Sequence, residues 1–177
     1  MKKRYNVGLD LSYSGTGVVI LGDAEPKAYE FAAGKAHLPV HERVIDLWKQ
    51  LKRVLPSPDE FDVHIIIEGA AYGAEFNAFI LGELNGGIKT LLFTEGFKYE
   101  LAQPTVVKKY ATDSGNAQKT YVAGCVAKKW GFIHPSNNVT DAYVMAKIAE
   151  AGLSNVEAEL EAQKKAKAKK GRVKTSG

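Results

Sequence analysis

"YNVGLDLSYSGTGVVILG", residues 5–22, decides the fold. Apolar residues lead out, a Ser/Tyr/Ser/Gly turn reverses the chain, and apolar residues lead back. The spacing predicts two antiparallel strands, 5–12 and 16–22. Asp10 sits in the middle of this hairpin. Aspartate is depleted in strands, and a buried carboxylate is costly unless it is paired or holds a metal. Asp10 therefore asks for a purpose.

Working outward, "AYEFAA" (28–33) predicts a third strand of the same meander. "PVHERVIDLWKQLKRVL" (39–55) places Val40, Val44, Leu47, Leu51 and Val54 or Leu55 at helical spacing behind Pro39. "VHIIIEG" (63–69) is a short β-branched run, the mark of a strand covered on both faces. "AEFNAFILGELNGGIKTLLFTEG" (74–96) reads as a helix with Phe76, Phe79 or Ile80, and Leu84 inward, broken or thinned at Gly86 and Gly87. "KYELAQ" (98–103) predicts a last strand. Helices are expected over 104–111, 117–130 and 137–152. The expected class is α/β: a five-stranded mixed sheet, three antiparallel strands then two parallel ones reached by right-handed crossovers, flanked by helices.

The chain has 177 residues, 45% of them apolar and 25% charged, enough for one domain with a good core. No apolar run approaches the roughly 20 residues of a membrane span. Asp10 interrupts the one stretch that follows the basic start, so no signal peptide is expected. A single cysteine, Cys125, excludes an internal disulfide and a cysteine-based zinc site, and reads as a small buried apolar residue. These features together suggest a cytoplasmic protein.

The net charge of +4 is carried by the tail. From Glu157 onward, Lys164, Lys165, Lys167, Lys169, Lys170, Arg172 and Lys174 outweigh three glutamates by four, so residues 1–156 are neutral. A nucleic-acid footprint on the body must then be a local cluster. The expected organisation is a domain over 1–153 and a basic Ala/Lys/Glu-rich tail over 154–177, partly helical or disordered.

Two more acids stand where acids are awkward. Glu68 ends the strand "HIIIE". If the helix 39–55 is a crossover, that strand runs parallel to the one bearing Asp10, and both acids reach the carboxyl edge where ligands of open α/β sheets gather. Asp141 begins "DAYVMAKIAEAG" on the stripe continued by Met145, Ile148 and Gly152. Three repelling carboxylates need a cation, and an oxygen-only set suits Mg²⁺ or Mn²⁺. Simpler readings stay open. Asp141 can be a first-turn acid in a capping-box-like pair with Asn138 as N-cap. Glu68 can face water at a strand end, and Ser12 or backbone can satisfy Asp10.

Taken together, these segments resemble RuvC-like Holliday junction resolvases, within the RNase H-like fold. "GLDLSYSGTGVVI" resembles the first strand, turn and entry to the second. "IIIEGAAYGAEFNAFILGELNGG" resembles the strand-terminal Glu and following helix. "QPTVVKKYATDSGNAQKTYV" resembles the lysine-bearing stretch, and "VTDAYVMAKIA" the last catalytic helix. The pieces occur in family order from Val7 to about Ala149.

The resemblance implies a crossover junction endodeoxyribonuclease. Asp10, Glu68 and Asp141 would bind two divalent cations, which activate a water and stabilise the leaving oxygen in phosphodiester hydrolysis. Paired cuts would leave 5′-phosphate and 3′-hydroxyl ends. The family often has an acid or histidine three residues before the last aspartate. Asn138 stands there, offering a carbonyl oxygen but no charge. Lys108 and Lys119 are implied phosphate contacts, with Lys119 also at the scissile phosphate. Tyr72 resembles a junction-facing ring that stacks on a base.

A homodimer is expected, since two-fold DNA needs two sites; its expected surface is the helix 74–93 with Phe79, Leu84, Ile88, Leu91 and Leu92. The four histidines show no ligand spacing. No membrane or nucleotide partner is expected, and a bacterial or phage-infected bacterial cytoplasm suits so compact a protein. Rival readings are an actin-like ATPase, for which the chain is too short, a broader branched-DNA or flap nuclease of the same fold, and a non-catalytic junction-binding protein.

Overall fold

The computed structural model describes residues 1–69 and 75–152. Five strands form one sheet: β1 (Arg4–Asp10), β2 (Thr16–Leu21), β3 (Lys27–Phe31), β4 (Asp62–Glu68) and β5 (Lys98–Ala102). The order across it is β3-β2-β1-β4-β5. β1–β2 and β2–β3 are antiparallel, whereas β1–β4 and β4–β5 are parallel. This is the mixed α/β sheet that the sequence predicts. No described helix is long and apolar enough to cross a membrane.

Alternation along the strands divides the core in two. Val7, Leu9, Ile65 and Ile67 point to one face, where α1 (Val40–Val54) supplies Val44, Leu47, Trp48 and Leu51, and α2 (Glu75–Thr94) supplies Leu84, Ile88 and Leu92. Val19, Leu21 and Ile66 point to the other, covered by α3 (Pro104–Thr112), α4 (Lys119–Trp130) and α5 (Asn137–Ala151). α5 lies across β1, β2 and β4 and is buried nearly all round, with Val139, Ala142, Val144, Met145, Ala146 and Ile148 fully enclosed.

The approach of α5 depends on two glycines. A β-carbon on Gly8 would overlap the Ala142 carbonyl, and one on Gly17 would overlap the Asn138 carbonyl. No side chain fits between this helix and β1 or β2 at those points, so backbone packs on backbone.

α2 differs from its sequence reading in two ways. It runs unbroken through Gly86 and Gly87. Gly87 serves packing instead: a β-carbon there would meet Val44 Cγ1 of α1 at 2.7 Å. Its inward face is the expected one at Leu84 and at the half-buried Ile80, but not at Phe79; the side chain of Phe76 lies outside those described. Leu84, Ile88 and Leu92 are fully buried in the core, Leu91 is half-buried against it, and Phe79 is 72% exposed. Three of the five residues expected at a dimer surface are therefore core. Among the described side chains, the large apolar ones that α2 exposes are Phe79, Leu81 and Phe93.

Candidate active site

Asp10 is the last residue of β1 and pairs with Gly17 of β2. Gly17 in turn pairs with Glu30 of β3. On the other side, Leu9 pairs with Ile67, which sets Asp10 beside Glu68, the last residue of β4. A straight row therefore crosses four strands: Glu30, Gly17, Asp10, Glu68. Alternation puts Asp10 on the face of Gly8, and Glu68 on the face of Ile66. Both faces are the one covered by α5.

α5 brings the third acid. It meets the sheet with Asn138 over Gly17 and Ala142 over Gly8, and Asp141 belongs to the turn between those contacts. The electrostatics confirm that the three carboxylates feel one another. Burial, then the Glu68 and Asp141 charges, push Asp10 up from 3.8 to about 8, opposed by Lys119, with Glu30 adding a smaller push. Burial, then Asp141, pushes Glu68 up from 4.5 to about 7, opposed by Lys119 and Lys108. Burial pushes Asp141 up as well, again opposed by Lys119 and Lys108. Lys119 begins α4 and Lys108 lies in α3, so two elements packed against α5 each send one cation toward the acids.

Among the described residues, none of the three carboxylates accepts a hydrogen bond or forms a salt bridge. Nor are any three His, Cys, Asp or Glu side chains among them drawn together tightly enough to hold a metal as they stand. The acids share a neighbourhood without closing on a common point. The donor chemistry nonetheless fits a hard divalent cation: oxygen-only, part-buried and lacking protein donors. Asp10, Glu68 and Asp141 are the residues that would hold it.

Asn138 is not the helix cap. Ser136 is: its hydroxyl accepts from Val139 N–H. Asn138 lies in the first turn and donates from Nδ2 to the Gly15 carbonyl at 2.6 Å. The capping-box reading of Asp141 accordingly lapses, because the cap lies five residues before it and not three. The sequence offered two adjacent asparagines after a serine, and only tertiary contact with the hairpin turn separates their roles.

The turn itself is tightly wired. Ser12 Oγ accepts from Ser14 N–H and Gly15 N–H, Ser12 N–H donates to Thr16 Oγ1, and Thr16 Oγ1 donates to the Ser12 carbonyl at 2.7 Å. The two amides that a phosphate-cradling loop would point at a ligand are thus turned inward onto Ser12. Tyr72 and the basic tail lie outside the described residues. His64 bridges the Ala149 carbonyl and Glu100, away from the acid row. Cys125 is half-buried.

Glu30 was not singled out by sequence reasoning. Its register opposite Gly17 depends on the five-residue connection between β2 and β3, which is too long for turn chemistry to fix.

No protein-family model matches the chain, and no curated protein is similar to it. Solved structures do match. One is Thermus thermophilus RuvC, with TM-score 0.59 and 21% identity, over 80% of this chain and 90% of that one. Another is T. thermophilus RuvC in complex with its Holliday junction substrate, with TM-score 0.60 and 18% identity, over 81% and 90%. At such identities the likeness is one of fold, shared over about four fifths of this chain.

Proposed function

We propose, from the premise that this chain has the RuvC fold, that it is a metal-dependent endonuclease resolving four-way DNA junctions. The observation that carries the reading is the placement of Asp10, Glu68 and Asp141 together at the carboxyl edge of a sheet built like that of RuvC. Ligand sites of α/β sheets gather at that edge.

In this reading Asp10, Glu68 and Asp141 hold Mg²⁺ or Mn²⁺, two ions per site, and Asn138 lends at most an amide oxygen. A hard divalent cation bound there supplies Lewis-acid activation of water and charge stabilisation at the departing 3′ oxygen. Lys108 and Lys119 face the same acids, so a phosphate drawn to them stands over the carboxylates. Lys119 also offsets charge building on the phosphoryl oxygens. The products are 5′-phosphate and 3′-hydroxyl ends.

Junction resolution needs two cuts, and a two-fold dimer supplies two sites at a fixed separation. The outer face of α2, with Phe79, Leu81 and Phe93 exposed, is the proposed contact, replacing the core residues first expected there.

The deciding experiment is Mg²⁺-dependent cleavage of a synthetic four-way junction beside flap, fork and linear duplex substrates. Symmetric ligatable nicks on the junction are expected. Equal cutting of flaps would widen the substrate class, and tight binding without any cleavage would make the protein a junction-binding scaffold.

A further inference from the structure

Glu30 reaches from the edge strand β3 to the start of α5. Ser136 Oγ donates to Glu30 Oε1 at 2.6 Å while the same hydroxyl caps the helix by accepting from Val139 N–H. Two residues on, Asn138 Nδ2 donates to the Gly15 carbonyl at 2.6 Å. The first turn of α5 is thereby gripped twice, once by β3 and once by the β1–β2 turn. Between the two grips it rests on Gly17, where no side chain intervenes. Asp141 lies one turn further along the same helix.

We propose that the Glu30–Ser136 pair is a positioning clasp for Asp141, setting its carboxylate against Asp10 and Glu68. The argument is one of levers. α5 is the only described element that carries an acid of the site from outside the sheet, and its N-terminal turn would fray if left to intrahelical bonds alone. Glu30 is bound to the sheet row that contains Asp10 through the pairs with Gly17. The Ser136 hydroxyl and the Glu30 carboxylate oxygen stand at close hydrogen-bond distance. Their hydrogen bond ties the helix carrying Asp141 to the ladder carrying Asp10. Partners that orient metal ligands without touching the metal commonly govern affinity about as strongly as ten- to hundred-fold.

The inference rests on the proposed metal-dependent reading, and its test separates the two. Mn²⁺ binding is titrated calorimetrically without DNA, alongside junction affinity and single-turnover cleavage, for wild type, Glu30→Ala, Glu30→Gln and Ser136→Gly. Glu30→Ala removes the acceptor; Glu30→Gln restores an acceptor without charge. Ser136→Gly removes the donor while leaving a tolerated cap. Thermal unfolding of each variant identifies any that fails to fold.

The expected result is about a ten-fold loss of Mn²⁺ affinity and of cleavage rate in Glu30→Ala and Ser136→Gly. Junction affinity should stay within about two-fold of wild type, and Glu30→Gln should recover most of the loss. Wild-type Mn²⁺ affinity in folded Glu30→Ala and Ser136→Gly overturns the clasp alone. Equal loss in Glu30→Gln and Glu30→Ala also overturns it, because charge and not the hydrogen bond would then be responsible. A wild type that neither binds Mn²⁺ nor cleaves overturns the proposed function and the clasp with it.

Discussion

Gly8 of β1 and Ala142 of α5 meet backbone to backbone, with no room for a β-carbon between them. This contact fixes how deeply α5 lies on the sheet, and so how close Asp141 comes to Asp10. Gly8→Ala must push the helix outward or tilt it. The expected cost is about 1–3 kcal/mol of stability, typical of overpacking, read from denaturant midpoints. The lost cleavage should exceed what the unfolded fraction explains, because the acid on α5 moves with the helix. Gly124, whose β-carbon would meet nothing within 4 Å, is the control: Gly124→Ala should be neutral or stabilising in α4.

The three acids make a prediction about pH. Asp10 and Glu68 have folded values raised to about 8 and about 7, above those of an unfolded chain. The folded state therefore binds more protons between about pH 4 and pH 8, and stability falls as pH rises through that window. Without divalent cations, the thermal midpoint should be lower at pH 8.5 than at pH 5.5. Adding Mg²⁺ at pH 8.5 should restore it, since a cation offsets the charge that burial penalises. Asp10→Asn should flatten the slope and raise the cation-free midpoint at high pH. A slope unchanged by Asp10→Asn would show that other groups set it.

Cation loading at neutral pH should also release protons, because carboxylates partly protonated when empty must ionise to bind. Mn²⁺ titrations in two buffers of different ionisation enthalpy should differ in apparent heat. Identical heats would mean that the acids are already ionised near pH 7.

Asp10→Asn should bind a four-way junction as tightly as wild type and cut it about a thousand-fold more slowly or worse. Gel shift and single-turnover cleavage on one preparation decide it. Full cleavage by this variant would remove Asp10 from the reaction.

Lys119 faces all three acids and Lys108 two of them. Lys119→Ala should make the slope of log affinity against log salt less negative by about one, the signature of one lost phosphate contact. It should also leave the acids harder to ionise, so that cleavage needs a higher pH than in the wild type. An unchanged slope would place Lys119 off the DNA path.

Much of this was legible in the sequence because the strands are strongly patterned. The β-branched run ending in Glu68, the hairpin holding Asp10 and the apolar stripe beginning at Asp141 each carry a local signal that tertiary packing did not override. What failed to show depended on partners distant in sequence. Val44 of α1 packs on Gly87 of α2, so glycines that look like helix breakers are contact points. Ser136 and Asn138 both suit a cap, and Gly15 across the fold decides between them. Glu30 reads as one polar residue of an edge strand until register sets it opposite Gly17.

The acid row runs at right angles to the strands, so the hydrogen-bond ladder spaces its members. Inserting or deleting one residue within β1 would swing Asp10 to the side of α1 and α2, into the apolar core there. The same change between α1 and β4 would leave every pair in the row intact. The fold thus divides the described chain into stretches free to change length and stretches that are not, and Asp10 and Glu68 lie in the second kind.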